Sequence, residues 1–500
     1  MYSENQVFIK LSEGLCQPFS TTVGLLQGEV TSPLLFNIFV NNISEVFDET
    51  CDPVKISGTD QSCLLWADDL FVVSQSAEGL QRAINRVHAF YLSLGLQINT
   101  SKTKVMIFNK SGKVLNNFQF SLDGNKLEIT DSYQYLGVKV RPSGTFTFAA
   151  DELCSKARKA WFSISSILYK DKRMPVERAF KLFDSLVSPV AMYACEFWLP
   201  LILPKKCLGS EEQLLSFWES FKCETLNQNC ARILLSVHRK ASRLAVLGEL
   251  GRYPMAVKAM AQTLNYRLCL ARKPASSLVG LAMTEMGVML EQGKDCWLTR
   301  VDKMADLFNL PRISYGKVSG RRITHLIQRK FSIFWLNQVQ AGRPGPDGLN
   351  HNKLKTYSSL KSHFGMEPYI ENVMNRNQRC HLSRLRVSAH RLGIEVMRFR
   401  RPPVPQHLRY CEYCPVDGQG PRPLDDEHHA IVQCTVGAEA RVGLFASFSE
   451  GCDEFANLSS LYQFKSLVCP TSSRNAKLVS RYLQTIFDTR DKIDQDGRVG

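Results

Sequence analysis

Five hundred residues suffice for about three domains with several buried cores, and an apolar share of 44% beside 22% charged residues excludes a globally disordered, collagenous or low-complexity chain. The formal net charge of +15 favours a polyanionic partner without requiring one. No membrane span is expected, because the most apolar stretch, Val190 to Leu203, is interrupted by Glu196 and Pro200 and falls short of the roughly 20 residues that cross a bilayer. The first residues lack the basic-then-apolar pattern of a secretory signal. The chain is therefore read as intracellular, nuclear or cytoplasmic and not secreted, with its 16 cysteines as buried thiols or metal ligands.

The pattern along the chain predicts an α+β first part. Ser32 as N-cap and Pro33 at the first helical position predict a helix with apolar positions at Leu35, Ile38, Phe39, Ile43, Val46 and Phe47. The run from Cys63 to Val73 predicts a strand, a turn and a strand around Asp68 and Asp69. Ser76 predicts the cap of a second helix carrying Leu80, Ile84, Val87, Tyr91 and Leu94, closed at Gly95. Strands are predicted over 96–99 and 104–108, followed by a hairpin turning at Asp123-Gly124. After about residue 150 the spacing becomes helical, with Leu153, Ala157, Trp161, Ile164 and Leu168 on one face.

Adjacent carboxylates at the tip of an apolar hairpin invite a divalent cation. Mg²⁺ takes oxygen ligands and uses one or two protein carboxylates, leaving positions for water and substrate phosphates. By themselves Asp68 and Asp69 are also compatible with a solvated surface turn. Their surroundings carry more. Gly24-Leu25-Leu26-Gln27-Gly28 with Ser32-Pro33-Leu34-Leu35-Phe36-Asn37 comes first, followed by Trp66-Ala67-Asp68-Asp69. Gly95-Leu96-Gln97-Ile98-Asn99 with Lys102-Thr103-Lys104 is next, and Tyr133-Gln134-Tyr135-Leu136-Gly137 is last.

This order of motifs resembles the reverse transcriptases of LINE-type (non-LTR) retrotransposons. The resemblance implies an RNA-directed DNA polymerase with an RNA template and a DNA primer. Deoxynucleotides would be its only small-molecule substrates, no membrane is involved, and Mg²⁺ would sit on Asp68 and Asp69 as the catalytic pair. It implies further that Gln27, Gly28, Lys102 and Lys104 face nucleotide and template, and that Tyr135, Leu136 and Gly137 grip the primer; Lys102 and Lys104 also read as an ordinary solvated pair. Leu182 to Trp198 and Leu247 to Pro254 resemble the thumb of the same elements more weakly.

One departure affects function. Two-metal nucleotidyl transfer needs carboxylates for both ions, and the family supplies one from a strand ahead of the Gln-Gly motif, whereas the 26 residues before Gln27 contain no Asp. The expectation is a fragment, a C-terminal portion lacking the first palm motif and inactive alone. The alternative is a catalytically dead, nucleic-acid-binding remnant.

The expected organisation is a partial palm over 1–145, a helical thumb and connection region over 146–375, an Arg-rich segment with a small zinc-binding module over 376–445, and a helical tail over 446–500. Arg376 to Arg409 holds nine arginines against one acid, Glu395, so Arg384, Arg386 and Arg391 are read as RNA-binding. Cys411-x2-Cys414 and His429-x4-Cys434 offer three thiolates and an imidazole, the donors that structural Zn²⁺ prefers. His428 is the competing ligand.

Overall fold

The computed structural model describes residues 6–12, 14–20, 24–26, 28–113, 118–310, 319–341, 343–344, 350–351, 353–373, 375–414, 422–450 and 455–496. Contacts divide the chain into two compact units, one formed by Met1–Gly144 with Pro274–Val288, the other by Thr145–Lys273 with Met289–Gly500. No helix among the described residues is long and apolar enough to cross a membrane.

The first unit is α+β. Its spine is the Ala77–Ser93 helix, begun where the Ser76 hydroxyl accepts the Gly79 N–H at 3.1 Å and ended before Gly95, whose φ of +72° is left-handed. The spine serves two cores. Val87 and Tyr91 pack with Val40 and Ile43 and with Leu65 and Leu70 of the carboxylate hairpin, while Leu80 and Ile84 cover Val105, Phe120, Leu122 and Leu127. The described strands pair as separate two-stranded ladders. Cys63–Trp66 runs antiparallel to Asp69–Val72, and Tyr133–Tyr135 to Val138–Val140. The Asp123-Gly124 turn, with both φ values positive, is of the kind whose twist suits a two-residue hairpin.

Three local expectations need correction. Ser32 is the first helical residue and not the cap; its hydroxyl reaches back to the Leu26 carbonyl at 2.8 Å, and the helix stops at Phe39 before a tighter turn over Asn41–Val46. Residues 96–99 are not a strand. Leu96 N–H is taken by the Tyr91 carbonyl, and Asn99 opens a turn to Thr103, so the apolar side chains reach the core from an irregular segment. The 104–108 strand shrinks to Lys104–Val105, paired in parallel with Glu128–Ile129. Nor does 146–375 hold together as one helical region: 274–288 belongs to the first unit, where Ser57 N–H donates to Glu285 at 2.9 Å and Ser57 Oγ to the Leu281 carbonyl.

The second unit is a helical assembly. Thr147–Lys170 buries the predicted face of Leu153, Ala157, Trp161, Ile164 and Leu168. Met255–Leu270 is buried over most of its first half and leaves a stripe at Gln262, Tyr266 and Cys269 exposed. Gly248 is required by close approach, since a Cβ there would lie 2.1 Å from the Trp335 ring. The Arg376–Arg386 helix packs against the long Ser473–Asp496 helix within this assembly.

Candidate metal and nucleic-acid sites

In the first unit the hairpin places Asp68 in the turn and Asp69 opposite Trp66. Ala67, with φ +52°, makes the left-handed bend, an uncommon conformation for a residue with a side chain. All four residues from Trp66 to Asp69 are exposed, so water already solvates the two carboxylates. The cost of burying charge therefore does not compel a cation here. The pair suits a single Mg²⁺ completed by water and phosphate; among the described residues no third carboxylate, histidine or cysteine joins it.

The second hairpin lies beside the first. The Tyr135 ring stands 5.2 Å from Phe71, and burial, with the negative Asp69 behind it, raises the Tyr135 phenol above its ordinary range. Leu136 and Gly137 form its turn, both with positive φ. Gln27 lies outside the described residues. Gly28 is exposed with φ +88°, so its backbone is open to a ligand, and a side chain there would be limited by conformation and not by space. Lys104 is held by Glu128 across the parallel pair at 2.6 Å, whereas the exposed Lys102 only turns with Asn99 through its backbone. Of the two lysines, Lys102 is the more exposed.

The arginine-rich segment is not a surface stripe. Arg386 is completely buried, bonded to Glu249 and to Glu367 and donating to the Val468 carbonyl. It has no face left for RNA, and its assignment as an RNA contact is corrected. Arg379 serves the Val373 and Leu234 carbonyls and Arg376 the Leu168 and Tyr169 carbonyls, each closing open helix or loop ends. Arg384 donates its Nε to the Ser236 carbonyl, and the largely exposed Arg391 faces Asp491 at 3.4 Å.

Cys411, Cys414, His429 and Cys434 are all buried, and their donor atoms lie within 4.8 Å of one another. Cys411 Sγ and Cys414 Sγ are each 3.9 Å from Cys434 Sγ, and Cys414 Sγ is 3.4 Å from His429 Nε2. A tetrahedral ion with Zn–S bonds of about 2.3 Å sets its sulfurs about 3.8 Å apart, so the donors fit zinc in type and in spacing. Local backbone explains the x4 spacing. Five residues along an α-helix are rotated by about 140° from one another, but His429–Gln433 forms a π-turn in which Cys434 N–H bonds the His429 carbonyl, stacking the two ligands on one side. His428 points elsewhere, its Nε2 2.8 Å from Ser460 Oγ.

Sequence reasoning missed the fifth member. Arg490 is buried, bonds Asp425 at 2.8 Å and donates to Cys434 Sγ at 3.2 Å. A hydrogen bond from Cys411, backed by those from His429 and the Val436 backbone and by the positive charge of Arg490, holds the Cys434 thiol below its ordinary range. The described cysteines are all free thiols.

Residues 3–140 match the reverse transcriptase (RNA-dependent DNA polymerase) family. An uncharacterized transposon-derived protein of Caenorhabditis elegans is 25% identical over 150 residues, which cover 29% of this chain and 51% of that protein. The retrovirus-related Pol polyprotein from the type-1 retrotransposable element R2 of Nasonia vitripennis is 32% identical over 126 residues, 23% of this chain and 12% of the polyprotein. That of Bradysia coprophila is 26% identical over 140 residues, 26% of this chain and 16% of the polyprotein. The match thus spans about half of the first relative and less than a fifth of the other two. The hairpin bearing Asp68 and Asp69, the neighbouring Tyr135 hairpin and these matches agree: the chain carries a reverse transcriptase domain of the LINE-type, non-LTR retrotransposon kind.

Proposed function

We propose that the chain acts in RNA-directed DNA synthesis, with Asp68 and Asp69 as ligands of Mg²⁺, Gln27, Gly28 and Lys102 toward nucleotide and template, and Tyr135, Leu136 and Gly137 toward the primer. The observation that carries this reading is the packing of the Tyr135 hairpin against the exposed carboxylate hairpin. Mg²⁺, when bound, supplies charge neutralisation for nucleotide phosphates; the protein's own part is to hold the acids on a turn whose flanking strands are anchored by Leu65 and Leu70 in the core. RNA template and DNA primer are the partners, and the setting is intracellular, nuclear or cytoplasmic. Cys411, Cys414, His429 and Cys434 hold a structural Zn²⁺, with no coordination position left for chemistry. Residues 1–145 serve as palm, 146–375 mainly as thumb, 376–445 as the zinc-clamped basic segment and 446–500 as the helical tail that closes on it.

Two carboxylates satisfy one ion, and transfer by two ions about 4 Å apart requires more. The 500-residue polypeptide alone is therefore expected to show no primer extension on an RNA template with Mg²⁺ or Mn²⁺. A longer polypeptide that includes this sequence and a third carboxylate should extend the primer and lose at least about a hundredfold in rate with Asp68→Ala. Extension by the 500 residues that vanishes with Asp68→Ala would overturn the first expectation; extension by the longer form that ignores Asp68→Ala would overturn the assignment of the carboxylate. The second reading, a nucleic-acid-binding protein without polymerase activity, is favoured by the lack of a third ligand beside Asp68 and Asp69 among the described residues.

A further inference from the structure

The second unit holds a cavity of about 470 Å³ whose lining includes none of the four Cys and His ligands, within the range of about 300 to 1,000 Å³ typical of small-ligand sites. Its walls bring together Lys240, Lys353, Arg384 and Arg391 with the aromatic side chains of Phe399 and Phe487. Two carboxylates share the lining. Glu395 lies 3.7 Å from Lys353, and Asp491 3.4 Å from Arg391. Four cations against two acids leave the cavity positive before its histidines are counted. Burial, with the Lys353, Arg384 and Lys240 charges behind it, holds His238 below its ordinary range, and burial with Arg384 does the same to His381. Burial is the larger cause at both rings, with Asp488 and Asp491 opposing the shift at His381, so the excess of cations is read from the lining itself.

The aromatic groups give the cavity a second character. Phe399 is 56% exposed, with Lys240 Nζ 5.0 Å from its ring centroid, and Phe487 is stacked on His381 at 5.3 Å and 17°. Lys240 covers one face of the exposed Phe399 ring, so a flat group would stack there by displacing the ammonium toward its own anionic end. Stacking on aromatic rings combined with phosphate contacts is how single strands are held without regard to sequence. Duplex offers phosphates but keeps its bases stacked inside.

We propose that this cavity seats one nucleotide of a single nucleic-acid strand, its phosphate among Lys240, Lys353, Arg384 and Arg391 and its base against Phe399. The seat deepens the reading of the chain as a nucleic-acid protein but lies in the second unit and makes no use of Asp68 or Asp69. One side of its lining is braced by the metal loop: His390, whose Nδ1 accepts the Leu392 N–H, meets Glu427 at 2.9 Å, and Gly393 N–H, three residues on, donates to Asp425 at 2.6 Å.

The test is fluorescence anisotropy of the full chain with a short labelled oligoadenylate RNA over roughly 50 to 200 mM salt, with adenosine 5′-monophosphate and a duplex as competitors. Lys240→Gln with Arg391→Gln, both at the cavity mouth, should weaken binding by about tenfold or more and reduce the salt slope by about 1.4, at about 0.7 for each lost single-strand phosphate contact. Phe399→Ala should weaken binding at least about fivefold and leave the salt slope unchanged. Unaltered binding in these variants would overturn the proposal, as would equal displacement by the duplex or a mononucleotide that binds as tightly as the strand. Circular dichroism of each variant separates loss of the seat from loss of the fold. A chain inactive in primer extension but sensitive to these variants speaks against the polymerase reading alone.

Discussion

Serine in place of Cys414 is expected to release zinc and to unfasten the C-terminal helix along with the metal loop. Wild-type protein from zinc-replete medium should carry about one zinc per chain, and the variant close to none. Structural zinc contributes apparent binding energy on the order of 10 kcal/mol in small modules, and there it is folding energy. The consequence should reach past residues 405–445, because Arg490 of the Ser473–Asp496 helix donates to Cys434 and Tyr482 donates its hydroxyl to the Ile431 carbonyl at 2.6 Å. Hydrogen exchange should therefore accelerate over 422–450 and in that helix from about Tyr482 to Arg490, while the Met255–Leu270 helix stays protected. Accelerated exchange confined to the loop would show that the ion clamps only its own ligands, and zinc retained in His429→Ala but lost in His428→Ala would assign the imidazole differently.

Chelation of zinc should also weaken the single-strand seat, since His390 of the cavity lining is held by Glu427, and Gly393 close behind it by Asp425, a few residues before His429. The link is mechanical: the same short segment supplies a zinc ligand and the acceptors that hold Gly393 and His390.

The features legible from sequence are those closed by neighbouring residues. The carboxylate hairpin, the Ser76 cap, the Asp123-Gly124 turn and the Cys-x2-Cys and His-x4-Cys pairs each depend on residues a few positions apart. What escaped depends on distant partners. Arg384 and Arg386 are two positions apart and so about 200° apart on a helix, which sends one toward the cavity and the other into the core. Nothing near Arg386 in sequence announces that, because its acceptor Glu249 is 137 residues away. Arg490 was invisible for the same reason, joining the metal ligands from 56 residues beyond Cys434. A count of arginines measures charge and says nothing of its partners; the composition pointed to a basic stripe where packing had used four of the arginines, Arg376, Arg379, Arg386 and Arg409, as buried fasteners.

The strongest of those fasteners gives the second large expected effect, in Arg386→Met. Arg386 lies among Glu249, Glu367 and Lys361, two cations and two carboxylates with almost no exposed surface. Lys361 bonds Glu367 and the Gly365 carbonyl, so it cannot also neutralise Glu249. Methionine fills much of the arginine's volume but leaves the Glu249 carboxylate buried without a cation, and removing one partner of a buried pair costs about 3 to 5 kcal/mol. Double replacement, Arg386→Met with Glu249→Leu, removes the stranded charge as well and should recover most of that loss, because apolar groups of similar size replace buried ion pairs at little cost. Urea unfolding of the second unit, followed by hydrogen exchange in the Arg376–Arg386 helix, reads both variants. A midpoint that Arg386→Met leaves unchanged would mean that water reaches this cluster in solution. The same variant should leave the salt slope of oligonucleotide binding as it is, whereas loss of Lys240 and Arg391 lowers it; a lowered slope in Arg386→Met would return this arginine to the nucleic-acid surface.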